Sequence, residues 1–146
     1  MGSDGQIRQW ELSAGRVTGP ALVHGAAIRD AALSPDGRRL ATAGVDGLVQ
    51  LWDLPGGRRI GQGLAHPSEV ARVSFSPDGT RLLTSAADGG SAALYAQLGD
   101  ARTLAPMGTR MQHRDGVMEA RFFPDGLRVA TAGEDGAARV WDGFSG

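Results

Sequence analysis

A four-residue turn signature occurs three times in this chain, as Ser34-Pro35-Asp36-Gly37, Ser76-Pro77-Asp78-Gly79 and Phe123-Pro124-Asp125-Gly126. The steps from Ser34 to Ser76 and from Ser76 to Phe123 are 42 and 47 residues, and other residues keep their offsets from the turn. A His stands ten positions before each one (His24, His66, His113), an Asp-Gly pair ten positions after (Asp46, Asp88, Asp135), and an aromatic residue follows. Self-similarity at a period of about 40 to 45 residues marks an array of small units. No single unit can bury its own apolar face, so the units must stack, and function has to be read from the surface that stacking builds.

The clearest unit runs from 24 to 65. Ile28, Ala31 and Leu33 form a short apolar strand, after which Pro35 presets φ for the turn and Gly37 tolerates its exit. Residues 38–42 return antiparallel, Gly44-Val45-Asp46-Gly47 turns again, and Leu48, Val49 and Leu51 lead into Trp52-Asp53. Residues 58–65 are weakly patterned, as suits an outer strand whose edge Arg58 and Arg59 protect from further pairing. Four short strands make one blade.

The unit 66–112 follows the same order in degenerate form: Gly90-Ser91 adds a residue, and Tyr95-Ala96 stands where the preceding unit has Trp-Asp, closing a third strand on Leu94-Tyr95. Residues 113–146 supply a first, second and third strand ending on Trp141-Asp142, and residues 1–23 match only a third and fourth strand. The predicted fold is all-β: a β-propeller of four-stranded antiparallel blades in an incomplete ring, with two full blades and a partial blade at each end.

These residues resemble the WD-repeat family, whose units carry a His near the start, a turn like Ser-Pro-Asp-Gly, an Asp before the third strand and a closing Trp-Asp. TolB-type propellers share the turn but lack the regular His and Trp-Asp offsets. The resemblance implies a rigid platform for protein partners. It also implies a hydrogen-bonded tetrad in each blade, made here by His24, Thr42, Asp46 and Trp52 and by His113, Thr131, Asp135 and Trp141. A buried indole N–H needs an acceptor, and a hydroxyl can accept from it while donating onward. His66, Thr84 and Asp88 remain in the middle unit, but Tyr95 cannot supply an indole donor at the same place, so that network is expected to be weaker or rearranged.

A His, a Thr and an Asp recurring once per unit point to core networks and not to a catalytic triad, because active sites rarely recur with the repeat. The chain therefore reads as a non-enzyme. Three His at separate blade entrances and no Cys give no metal-ligand spacing, the Asp-Gly turns lack the acidic run of a calcium loop, and no Gly-Lys-Ser/Thr ends a phosphate loop, so no cofactor is expected. What remains are the residues between apolar anchors on the innermost strands. Arg29, Asp30, Arg72, Met118 and Glu119 are the candidate partner-binding residues, with ion pairing across neighbouring blades as the simpler role.

Formal net charge is -1, with both signs interspersed, which gives no electrostatic footprint for nucleic acid or an anionic membrane. All 15 basic residues are Arg, a usage typical of a high-GC bacterial genome, and the start carries no signal-peptide pattern, so the default location is cytoplasmic. The leading expectation is a non-enzymatic scaffold that binds a protein or peptide on its top face. Two further possibilities are the C-terminal repeat region of a bacterial kinase or NTPase regulator and a self-assembling propeller fragment with only a structural role. Head-to-tail closure between chains would make a homo-oligomer of about six blades as a dimer or nine as a trimer, with one redundant strand per junction. A fragment of a longer ring is the preferred alternative to that closure.

Overall fold

Turn-forming residues at short intervals leave room only for strands of five to eight residues, and thirteen such strands form among the described residues. The computed structural model describes residues 4–86 and 95–146. Asp88, its turn with Gly89 and the Gly90-Ser91 insertion lie outside the described residues.

Four antiparallel sheets follow one another along the chain. The first pairs β1 (Gln6–Glu11) with β2 (Arg16–Val23). The second runs β3 (Ile28–Leu33), β4 (Arg39–Gly44), β5 (Leu48–Asp53), β6 (Arg58–Ala65), and the third β7 (Val70–Phe75), β8 (Arg81–Ala86), β9 (Tyr95–Asp100), β10 (Pro106–Gln112). The last holds β11 (Val117–Phe122), β12 (Arg128–Gly133) and β13 (Ala138–Asp142). The fold is a partial propeller: two four-stranded blades flanked by a two-stranded and a three-stranded one.

The turn signature works through its side chains. Ser34 Oγ donates to Asp36 Oδ1 at 2.5 Å and accepts from the Arg39 amide at 2.9 Å, and Ser76 repeats both contacts with Asp78 and Arg81. Those hydroxyls are the first cause holding the Asp36 and Asp78 carboxyls below the ordinary carboxylate range. Each turn ends on a glycine at positive φ (68°, 71° and 69° at Gly37, Gly79 and Gly126), a conformation that side chains with a Cβ avoid.

The cores lie between the sheets. Ala41, Val49, Leu51 and Leu64 of the second sheet meet Val70, Val73 and Leu82 of the third, while Leu83, Ala96 and Leu98 meet Val117, Ala120 and Val129 of the last. A smaller cluster joins Leu22 and Ile7 to Leu40 and Trp52. Consequently β8, sandwiched on both faces, is buried along its whole length, whereas β12 alternates because only one of its faces is covered. Leu104, in the turn between β9 and β10, holds a left-handed backbone at φ 61° with its side chain 3% exposed; burial in the core between the second and third sheets fixes a conformation that a free leucine avoids.

One strand of the middle blade differs from expectation. The third strand does not close on Leu94-Tyr95; it begins at Tyr95, and Arg81 pairs with Asp100 and Leu82 with Gly99 as Arg39 pairs with Asp53 and Leu40 with Trp52. Gly99-Asp100, not Tyr95-Ala96, therefore occupies the Trp-Asp register. The aromatic at 95 draws attention in the sequence, but Ala96 and Leu98 are the residues that fill the core shared with the last sheet, and they set the register.

Candidate interaction groove

Inside the second sheet His24, Thr42, Asp46 and Trp52 come together. Trp52 Nε1 donates to Thr42 Oγ1 at 3.0 Å, His24 Nδ1 lies 2.7 Å from the same hydroxyl, and His24 Nε2 lies 3.3 Å from Asp46 Oδ1. A carboxylate only accepts, so the imidazole proton sits on Nε2 and the Thr42 hydroxyl donates to Nδ1. The relay runs from indole to hydroxyl to imidazole to carboxylate. The last sheet assembles the same four residue types with the ring turned over: Trp141 donates to Thr131 at 2.8 Å, and His113 sets Nε2 2.7 Å from Thr131 and Nδ1 3.1 Å from Asp135. Arg139 adds a donor to Asp135 Oδ2 at 2.9 Å. The Asp135 carboxyl is held well below its ordinary range, first by the Arg114 amide and then by His113.

The middle blade is wired differently. Thr84 Oγ1 lies 3.1 Å from His66 Nε2 and 3.2 Å from the Gln97 carbonyl, and His66 Nδ1 lies 3.2 Å from the Tyr95 hydroxyl, with no indole in the network. Two small substitutions account for this. Gly44 and Gly133 stand where an added Cβ would collide with the imidazoles of His24 and His113, but the residue in the same register of the middle blade is Ala86. Gly99 also removes the indole from its place. The His66 ring instead stacks on Tyr95 with centroids 5.8 Å apart, and burial, helped by Arg110, lowers its pKa to about 4. Thr-Ala-Gly against Thr-Ser-Ala was the sequence signal for this difference.

The His and Thr members of these networks are buried, which leaves the innermost strands. β3, β7 and β11, with residues of the three turn signatures, line a cavity of about 600 Å³. Asp30, Arg72 and Glu119 hold one register position on the three strands and all face it, as does Arg121. Leu33, Phe75, Phe122, Phe123 and the turn prolines Pro35, Pro77 and Pro124 form its apolar part. Glu119 and Arg121 pair at 3.3 Å, with Arg121 largely solvated and Glu119 half-buried.

The other candidates divide differently. Arg29 bridges to Glu69 of the next blade at 2.9 Å, and Asp30 accepts from the Val73 amide of that blade at 3.0 Å, so both link blades as well as sitting near the surface. Met118 is 63% exposed and does not line the cavity. Sequence reasoning missed Arg121 and the prolines as lining residues. It also missed a second set: Arg39, Arg81 and Arg128, each two residues beyond a turn glycine, of which the first two reach into the next blade. Their common offset was the available signal. Among the described residues no three His, Asp or Glu side chains gather as a metal site would need.

Residues 21–53, 58–90 and 105–142 match the family model described as WD domain, G-beta repeat. No match is found to a curated protein.

Proposed function

Because this chain belongs to the WD-repeat family, we propose that it is a non-enzymatic scaffold whose central groove binds an extended protein segment. WD repeats generally mediate contact between proteins. The observation that carries the finer reading is a division of roles among the polar residues. His24, Thr42, His66, Thr84, His113 and Thr131 are buried within the sheets. Asp30, Arg72, Glu119 and Arg121 instead face the groove, at register positions where the repeat does not dictate a residue type. Acidic and basic groups alternating around an aromatic and proline floor suit a segment that carries both charges beside an apolar anchor.

The test is a selection of peptides from a random displayed library on the wild-type protein, followed by binding to Arg72→Glu and Glu119→Arg. Both substitutions lie at the surface, so folding is retained, and affinities are expected to fall about tenfold or more. Selected peptides that bind both variants as tightly as wild type would place the contact elsewhere and refute the groove.

A further inference from the structure

Each innermost strand has a neighbour on one side only, so every second amide on it points away from its sheet and toward the groove. On β7 the Ser76 amide donates to the Arg81 carbonyl, which fixes the alternation and turns the Val73 amide, three residues back, outward. On β11 Phe123 donates to Arg128 in the same way, and the outward amide is that of Ala120. Val73 and Ala120 thus hold one place in successive blades, opposite Thr84 and Thr131, and both line the groove.

Asp30 answers the first of these amides. Its carboxylate, carried on the preceding blade, accepts from Val73 at 3.0 Å and from the adjoining Ala31 amide at 2.9 Å. One blade further on, the register of Asp30 is held by Arg72, which faces the second amide. A guanidinium only donates, so it cannot serve Ala120. Among the described residues the Ala120 amide has no acceptor and Arg72 no acidic partner. The carboxylates nearby are engaged, Asp30 on its two amides and Glu119 on Arg121 at 3.3 Å. Ser74, next on the same face of β7 as Arg72, adds a hydroxyl to the groove wall.

A main-chain donor and an exposed cation therefore meet at the junction of the third and last sheets, where the junction before it has a donor and a carboxylate. We propose that this is an acid-binding subsite: the side-chain carboxylate of an Asp or Glu in the bound segment accepts from the Ala120 amide, as Asp30 does from Val73, and pairs with the Arg72 guanidinium. The subsite presupposes that the segment binds in the groove, and it names which charge is read there and by what. Both contacts are charge-assisted, roughly twice as strong as neutral hydrogen bonds. Phe75 and Phe122, further along the same two strands, supply the apolar wall beside it.

Parallel selections from a random displayed peptide library test this, one on wild type and one on Arg72→Asp, which restores the acid of the Asp30 position and caps Ala120 from within. Arg72 is exposed, so circular dichroism should report unchanged folding. Wild type should enrich peptides that share an acidic residue, and replacing that acid by its amide should cost about 10- to 100-fold in affinity. Arg72→Asp should lose the preference, and amidating the peptide C-terminus should change nothing. In NMR spectra of isotope-labelled wild type, the Ala120 amide proton should move downfield with the acidic peptide and stay in place with the amide counterpart. Suppose binding is weakened by Glu119→Arg, so that the groove stands. The absence of a shared acid, an acid required equally by Arg72→Asp, affinity carried by the C-terminal carboxylate, or an unmoved Ala120 amide would then each overturn the subsite alone. A wild type that enriches no peptide, or peptides that ignore both Arg72→Asp and Glu119→Arg, would instead overturn the groove itself, and the subsite with it.

Discussion

Replacing Thr42 by Val keeps the shape of the side chain and removes the hub of the network in the second sheet. Thr42 is 0% exposed, so water cannot substitute for the lost hydroxyl. Two groups lose their partner: the Trp52 indole N–H, now 3.0 Å from Oγ1, and the His24 Nδ1 lone pair, 2.7 Å away. Each unsatisfied buried group costs about 1–3 kcal/mol, while the extra methyl recovers less than about 1 kcal/mol, so a net loss of about 3 kcal/mol is expected. Thr42→Ser makes the opposite change, keeping the hydroxyl and losing a buried methyl, for about 1 kcal/mol. Urea unfolding followed by circular dichroism at pH 7.5 measures both. The polar-to-apolar exchange should thus be worse than the cavity, reversing the order that hydrophobicity alone would set. If Val lies within about 0.5 kcal/mol of wild type, or Ser is the more damaging, the buried relay does not carry the stability assigned to it.

Acidification should weaken the middle blade in a defined window. The His66 pKa falls from an ordinary 6.5 to about 4, so the unfolded chain takes up a proton that the folded chain refuses; stability is full above pH 6.5, declines by up to about 3 kcal/mol as pH falls to about 4, and is then flat from this group. His66→Gln should flatten that window in denaturant titrations across pH, and an unchanged slope would contradict the assignment. Gly44→Ala places a Cβ against the His24 imidazole and should cost about 2–4 kcal/mol in the same urea assay, whereas a neutral result would mean that the ring has room to move. Arg81→Ala leaves the Gly143 carbonyl of the last sheet without its donor and should cost about 2–3 kcal/mol; Arg128→Ala, whose partner Asp125 lies in its own exposed turn, should be near neutral, and equal costs for the two would contradict a role for Arg81 in joining blades.

Much of the fold was legible because its punctuation is local. Ser34, Asp36 and Gly37 bond within their own turn, so the sequence window that contains them contains that physics. The same holds for the alternation that marks β3, β7 and β11 as strands. The register of β9 was not legible, because the residues that decide it, Ala96 and Leu98, do so by packing on Val117, Ala120 and Val129 of another sheet. For the same reason the rewiring around His66 was expected only as a disturbance. Its form depends on Ala86 and Tyr95, which come within reach of the imidazole only once the strands are paired.

The sequence by itself determined that this chain is a repeat array of short antiparallel strands, that His24, Thr42, Asp46 and Trp52 recur as a set with His113, Thr131, Asp135 and Trp141, and that the middle unit departs from them. Turn chemistry and alternation need no distant partner, so they survive in one dimension. Only the tertiary structure decided which polar residues are closed inside the sheets and which face the groove. It alone set Arg39 and Arg81 across to the next blade while Arg128, at the same offset, pairs within its own turn, because the acceptors of the first two are backbone carbonyls, which every residue carries and no sequence pattern displays.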